Sequence, residues 1–149
     1  MAKRRLGLAA LGALSFIGCG EDETLVLGEP GPALQVVARS DGRVDFRQRT
    51  GAVILRAGWA EALVEVNGDA ITVDTRSCGG WTAEDTPPAA AGYFQSVTGA
   101  HLECQAEGIG LDWRVWHDAA HDTAVIRLDV ANRTESQVRV LRVTPRGSS

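Results

Sequence analysis

The sequence predicts an all-β protein, specifically an antiparallel β-sandwich. From position 33 onward apolar residues recur at every second position, as where Val44 and Phe46 alternate with Asp45 and Arg47. Such alternation is typical of half-buried strands. The alternating stretches are short and separated by turn residues, and none has the 3.6-residue period of an amphipathic helix. Strands that are apolar on one face must bury that face, so we expect two sheets packed together.

The clearest local prediction is a hairpin formed by strands at 63–66 and 71–74. Between them lies Asn67-Gly68-Asp69, and Asn-Gly supplies the positive φ angles of a tight hairpin turn. Further strands are predicted at 34–39, 44–47, 52–57, 100–106, 111–116, 123–130 and 138–144. Turns are predicted at Ser40-Asp41-Gly42, Gly108-Ile109-Gly110 and Asn132-Arg133-Thr134, and the range 76–92, which contains Thr86-Pro87-Pro88, has the composition of a loop.

The N-terminus has the organisation of an export signal. Lys3, Arg4 and Arg5 precede an apolar or small stretch at 6–17, and Gly18 comes directly before Cys19. A charged start, a short apolar region and a small residue at the cut are the features of a secretory signal. The apolar stretch is shorter than the roughly 20 residues that cross a membrane.

With a cysteine placed directly after the cut, residues 1–18 resemble a bacterial lipoprotein signal peptide. The resemblance implies that the mature chain begins at a lipid-bearing Cys19, which would hold it on a membrane in the cell envelope. Gly20 is not the Asp that often retains such lipoproteins in the inner membrane, so the outer membrane is favoured. The alternative is a secreted protein in which Cys19 is a free thiol.

Residues 19–32 are predicted to be an acidic, Gly- and Pro-containing tether, because Glu21, Asp22 and Glu23 repel one another and Pro30 and Pro32 oppose regular structure. The sandwich domain is then assigned to 33–149. Cys78 and Cys104 remain as an even pair in an exported chain. In an oxidising compartment we expect them to form a disulfide that closes a loop of about 26 residues and contributes about 3 kcal/mol. Two separately buried thiols are the alternative.

Charge excludes one class of partner. The formal net charge is −4, Lys3 is the only lysine, and the arginines are scattered among a larger number of acidic residues. A nucleic-acid-binding protein needs a basic face that displaces counterions from phosphates. We therefore expect no nucleic-acid partner, and no motif predicts a cofactor.

Two groups of side chains are candidates for a site. His117 and His121, in the sequence His117-Asp118-Ala119-Ala120-His121-Asp122, have a spacing that zinc sites use. The alternative is a hairpin loop whose polar side chains satisfy the turn backbone. Trp81, in a Gly-rich stretch, and Trp116, out of phase with Trp113, are predicted to be exposed and could stack on sugar rings. The alternative is that they belong to the core, where most tryptophans lie.

No catalytic constellation is predicted. No nucleophile-elbow pattern surrounds a serine, and the acids have the spacing of outward-facing strand or loop residues. These acids are Glu61, Glu65, Asp74, Glu84, Asp85 and Glu103. An active hydrolase is accordingly the third hypothesis for this chain, behind two non-catalytic ones.

The C-terminal part resembles the N-terminal β-supersandwich of α-galactosidase-like (melibiase) glycoside hydrolases. The resemblance rests on 110–115, 124–130, Ala131-Asn132-Arg133 and 138–145, with the 60–74 hairpin before them. It implies a carbohydrate-associated module. That family's catalytic aspartates lie in a following barrel that these residues do not include, so no catalytic residue is carried over. The opposing hypothesis is a structural or protein-interaction lipoprotein whose exposed sheet edge recruits a partner strand.

Overall fold

The computed structural model describes residues 25–27, 34–48, 50–84 and 97–148, and in these ranges the predicted all-β fold is confirmed. The described chain forms ten strands and one short 3-10 helix at Thr75–Ser77. The strands are β1 Leu25–Leu27, β2 Leu34–Ala38, β3 Val44–Gln48, β4 Val53–Val66, β5 Asp69–Asp74, β6 Thr82–Glu84, β7 Val97–Ala106, β8 Ile109–Asp118, β9 Thr123–Asn132 and β10 Val138–Ser148. No helix of the described residues is long and apolar enough to span a membrane.

The strands form two antiparallel sheets that pack as a sandwich. The first sheet has the order β1-β2-β3-β4-β10, with β5 also paired to β4, and the second has the order β6-β7-β8-β9. Strand β4 connects the parts of the first sheet. Its beginning pairs with β3, its end pairs with β5, and β10 follows it along the other side.

A bulge bends β4 at the point where its partner changes from β3 to β5. Val44 pairs with Gly58 but Phe46 pairs with Leu55, so the register shifts opposite Asp45. Ala57, inside the bulge, has a φ of 49°, which is unusual for a residue with a side chain. Its backbone N–H donates to the buried Asp45 carboxylate at 2.7 Å. This hydrogen bond satisfies a donor that the ladder cannot use.

The charge of Asp45 is stabilised in place. Burial raises the pKa of the Asp45 carboxyl, but the Ala57 N–H and the guanidinium of Arg47, 2.5 Å away, outweigh that effect and hold the pKa below its usual value. Asp45 therefore stays ionised and keeps accepting the Ala57 hydrogen bond at neutral pH.

The predicted hairpin and the predicted disulfide are both present. Asn67 and Gly68 have φ angles of 53° and 95°, and Val66 pairs with Asp69 across them, as a two-residue turn requires. Cys78 and Cys104 form a disulfide with Cα atoms 5.6 Å apart. Because Cys78 follows the 3-10 helix after β5 and Cys104 lies in β7, the disulfide joins the two sheets.

The core lies between the sheets and is built from the alternating positions that the sequence marks as apolar. In β4 the buried residues are Gly58, Ala60, Ala62 and Val64, and in β8 the buried residues of the same inward phase are Ile109, Leu111, Trp113 and Val115. The small residues of β4 face the large ones of the second sheet within one cluster. Small residues on one sheet that face large residues on the other fill the space between the sheets without voids.

Some boundaries differ from those that the sequence predicts. Leu25–Leu27 lie inside the predicted 19–32 tether but form β1, which pairs with β2 and buries Leu27. Thr82–Glu84 form β6 inside the predicted loop. The turn predicted at 108–110 lies one residue earlier, at Glu107 and Gly108, because these residues have the positive φ angles. Cys19, the rest of the tether and residues 85–92 of the predicted loop lie outside the described residues.

Replacing Asp45 tests the role of the bend. Asp45→Ala leaves the Ala57 N–H without its acceptor, and a buried unsatisfied donor costs about 1–3 kcal/mol. We expect urea unfolding monitored by circular dichroism to show a loss of that size. The control is Asp69→Ala, which removes a carboxylate from an exposed hairpin residue. Equal stability of the two variants would contradict the proposed role of Asp45.

Candidate functional site

His117 lies in the core and not in a loop. The sequence predicts a strand that ends at Trp116, but β8 continues to Asp118. His117 therefore belongs to β8, faces inward and is fully buried. Both ring nitrogens lack a hydrogen-bond partner. The nearest carboxylate oxygen, from Asp122, is 3.8 Å from Nε2. Burial lowers the pKa of His117, and the nearby carboxylates of Asp122 and Asp118 only partly oppose this effect.

His121 does not join His117 in a metal site. Its Nδ1 lies 2.5 Å from the carboxylate of buried Asp118, whose other oxygen accepts the Ala120 N–H. This arrangement closes the turn between β8 and β9. Within the residues that the structure describes, no group of three or more His, Cys, Asp or Glu side chains could hold a metal ion.

The prediction that Trp81 and Trp116 are exposed is wrong. Trp81 is 9% exposed and packs edge-on against Trp113, with ring centroids 5.1 Å apart. Trp116 has the outward phase that the sequence predicts but is only 2% exposed. Its indole lies close above the backbone of Gly99, the residue opposite it in β7, where a Cβ would come within 2.5 Å of the ring. A stacking platform for sugars therefore cannot be assigned to these two side chains.

The described candidate acids are engaged by arginines. Glu61 pairs with Arg142 at 2.5 Å, Glu65 with Arg139 at 3.0 Å, and Glu84 with Arg114 at 3.7 Å. Asp74 and Glu103 pair with Arg76 and Arg133. Asp85 lies outside the described residues. These ion pairs lie on sheet surfaces, where such pairs contribute little stability.

The feature that the sequence did not predict is an open side of the sandwich, formed by the edge strands β9 and β10. On β9 the inward-facing residues are Ile126, Leu128 and Val130, because each pairs with an inward-facing residue of β8. In the same way Val138, Val140 and Val143 have the inward phase of β10 through their pairing with β4. These six side chains define the open side.

Three inward-facing residues of the open side are not covered. Ile126 is 42% exposed, Val140 is 51% exposed and Val143 is 36% exposed. Leu128, Val130 and Val138 are partly buried against the core. In the sequence, alternation over 126–130 of β9 and 138–140 of β10 predicts strands that are covered on one face, and in β10 the alternation breaks at Val140-Leu141. Nothing local distinguishes a covered apolar face from an uncovered one.

A polar cleft adjoins the end of β10. It has a volume of about 480 Å³ and is lined by Glu65, Asn67, Gly68, Gln137, Val138 and Arg139. The side chains supply hydrogen-bond donors and acceptors but no aromatic ring. The cleft arises because the hairpin turn at 67–68 and the connection from β9 to β10 end at the same edge of the first sheet.

The chain matches no family model, no curated protein and no solved structure. The resemblances to a lipoprotein signal peptide and to the α-galactosidase-like sandwich therefore remain predictions from the residues that carry them.

The buried state of His117 predicts a pH dependence of stability. Because its pKa is lowered in the folded protein, the unfolded chain binds a proton first as the pH falls below about 6.5. Stability is therefore complete above that pH and is lost as the pH falls toward the folded-state pKa, by up to about 1.4 kcal/mol per pH unit.

We expect His117→Leu to flatten this dependence. Chemical unfolding of both proteins between pH 8 and pH 5 measures the two slopes, and near-ultraviolet circular dichroism of the tryptophans checks that the variant keeps its packing. The carboxyls of Asp45 and Asp74, whose pKa values are also lowered, act below pH 4 and do not affect this window. Parallel slopes would show that His117 is not the responsible group.

Proposed function

We propose that this protein is a lipid-anchored interaction module of the bacterial cell envelope, whose β-sandwich binds another polypeptide through the open side. The observation that carries the proposal is the exposure of inward-facing aliphatic residues, Ile126, Val140 and Val143, on two edge strands. Cys19 is the proposed site of lipid attachment, with the outer membrane favoured.

The free-energy cost of leaving apolar side chains in water supports a docking role for this surface. Apolar surface that stays in water forgoes about 25 cal/mol per Å² of stabilisation, and contiguous exposed apolar patches on soluble domains mark interaction sites. An edge strand also presents unpaired backbone N–H and C=O groups, which a partner strand can satisfy. On β9 and β10 both features occur together, so one partner segment could satisfy the backbone and cover the side chains.

A carbohydrate-associated role is the second candidate, and the specific observation in its favour is the polar cleft beside Glu65 and Arg139. Amide and charged side chains in such a cleft are groups that recognise sugar hydroxyls. The resemblance to the non-catalytic sandwich of α-galactosidase-like hydrolases points to the same class of ligand. The buried tryptophans do not contribute to this candidate.

Lipid attachment has a direct test. Mass spectrometry of the mature protein from membranes should show an N-terminal Cys19 carrying a diacyl group and an acylated amine. Cys19→Ser should lack the lipid and leave the membrane fraction, because a lipid anchor of this kind holds a chain far more firmly than one acyl chain does. An unmodified thiol on Cys19 of the wild-type protein would contradict the anchor.

Site-specific photocrosslinking tests the open side. A photoreactive amino acid at Ile126 or Val140 of the full chain should give crosslinks to a polypeptide in intact cells. The matched control position is Thr72, an exposed residue of β5. Strands β5 and β10 lie on opposite sides of β4, so a partner docked on the open side does not reach Thr72, and we expect at least about fivefold less product there. Equal products at all three positions, or none, would contradict a docking role.

A further inference from the structure

The two edge strands of the open side differ in their ability to accept a partner strand. The register of β10 with β4 is broken by a bulge between Val140 and Arg142, and Pro145 has no N–H to donate. Bulges and prolines are features that protect an edge from pairing. The register of β9 with β8 is unbroken from Asn132 to Thr123, and β9 contains no proline. The outer edge of β9 is therefore the one that can be extended.

Charges on the outward face of β9 indicate which partner fits. Asp129 lies directly opposite Asp112 of β8, and Arg127 lies directly opposite Arg114. Like charges opposite one another across a ladder are destabilising. In the described structure each charge has a partner within its own strand, because Arg127 contacts Asp129 at 2.6 Å and Arg114 contacts Asp112 at 2.9 Å. Asp112 and Arg114 also contact His101 of β7 and Glu84 of β6. A strand added beyond β9 with the opposite charge order would supply the cross-strand partners that β8 does not.

We propose that the added strand is β9 of a second copy of this chain, paired antiparallel about a two-fold axis at Leu128. This inference rests on the proposed interaction role and names the partner. In this register Arg127 of each copy lies opposite Asp129 of the other, so both outward pairs have opposite charge. On the inward face Ile126 lies opposite Val130, and Leu128 lies opposite its own copy. The two four-stranded sheets become one eight-stranded sheet.

Neighbouring registers do not share this complementarity. Residues opposite each other in an antiparallel pair point to the same face, so a two-fold pairing must be centred on a residue. A centre at Arg127 or at Asp129 would place that charge opposite its own copy. A centre at Ile126 would place Arg127 opposite Val125, and a centre at Val130 would place Arg127 opposite Arg133. The sequence of β9 therefore selects the centre at Leu128.

The pairing also covers part of the exposed apolar surface. An added strand next to β9 brings Val130 of the second copy beside Ile126, which is 42% exposed in the single chain. Two chains anchored to one membrane through Cys19 would in addition be confined to a thin layer, and such confinement raises the effective concentration of each for the other.

Cysteine crosslinking tests the two-fold centre in the full-length protein in membranes. Leu128→Cys places two thiols directly opposite each other, with Cβ atoms about 4.5–5.5 Å apart, close enough for a disulfide after small adjustment. Ile126→Cys places its two copies about 13 Å apart, since four residues separate 126 from 130 along a strand. After mild oxidation, non-reducing electrophoresis should show a covalent dimer for Leu128→Cys and at least about fivefold less for Ile126→Cys.

A second variant keeps the test valid if Leu128→Cys impairs folding. Ile126→Cys combined with Val130→Cys retains Leu128 and should form dimers through 126–130 pairs, whereas neither single variant should. Dimers from the Ile126→Cys single variant at the level of the double variant would overturn the register.

Charge exchange tests complementarity independently of packing. In the Ile126→Cys, Val130→Cys background, Arg127→Asp puts acids opposite Asp129 of the other copy and should reduce dimer at least about fivefold, because opposite-charge pairs become like-charge pairs. Adding Asp129→Arg restores opposite charges in reversed order and should restore the dimer. Reduction by both the single and the double exchange would overturn the proposal.

The outcomes also separate this inference from the proposed function. Absence of homodimer from both cysteine designs, together with photocrosslinks from Ile126 to a different protein, would overturn the second-copy pairing and leave the docking role standing. Absence of both kinds of product would overturn both.

Discussion

The bend in β4 is the constraint on which the rest of the sandwich depends. A single 14-residue strand pairs with β3, β5 and β10, so its change of direction at Ala57 sets where those strands lie. The bend places Ala57 in the left-handed region, and the buried carboxylate of Asp45 accepts its N–H. Arg47 keeps that carboxylate ionised in spite of its burial. A local bulge and one buried carboxylate thus fix the arrangement of a whole sheet.

The disulfide connects this sheet to the second one, and a tryptophan pair lies in the core between them. Cys78–Cys104 links the segment after β5 to β7, and Trp81 packs against Trp113 of β8. His117 continues the same inward phase of β8 as an uncharged side chain without a hydrogen-bond partner, so a group that could have bound metal instead fills the core. The second sheet ends in the edge strand β9.

Exposed apolar side chains and rows of like charge occur together at that edge, and the functional proposals are based on this combination. Inward-phase aliphatic residues of β9 and β10 remain exposed, and the outward charges of β9 lie in like-charge rows with β8. An additional strand would address both on β9, while the bulge and Pro145 make β10 a poorer acceptor. The anchor predicted at Cys19 would keep such pairing on a membrane, where chains meet more often than in solution.

The strand periods, the Asn67-Gly68 turn and the pairing of Cys78 with Cys104 were predictable from the sequence, because alternation, positive φ and cysteine count are local or compositional properties. The sequence also predicts that Trp116 points outward. The burial of three side chains could not be predicted, because it depends on tertiary contacts. Trp116 is buried because Gly99 lies opposite its indole, Trp81 because it packs on Trp113, and His117 because β8 extends beyond Trp116. The open side could not be predicted either, because alternation shows which face of a strand a residue occupies but not whether another strand covers that face.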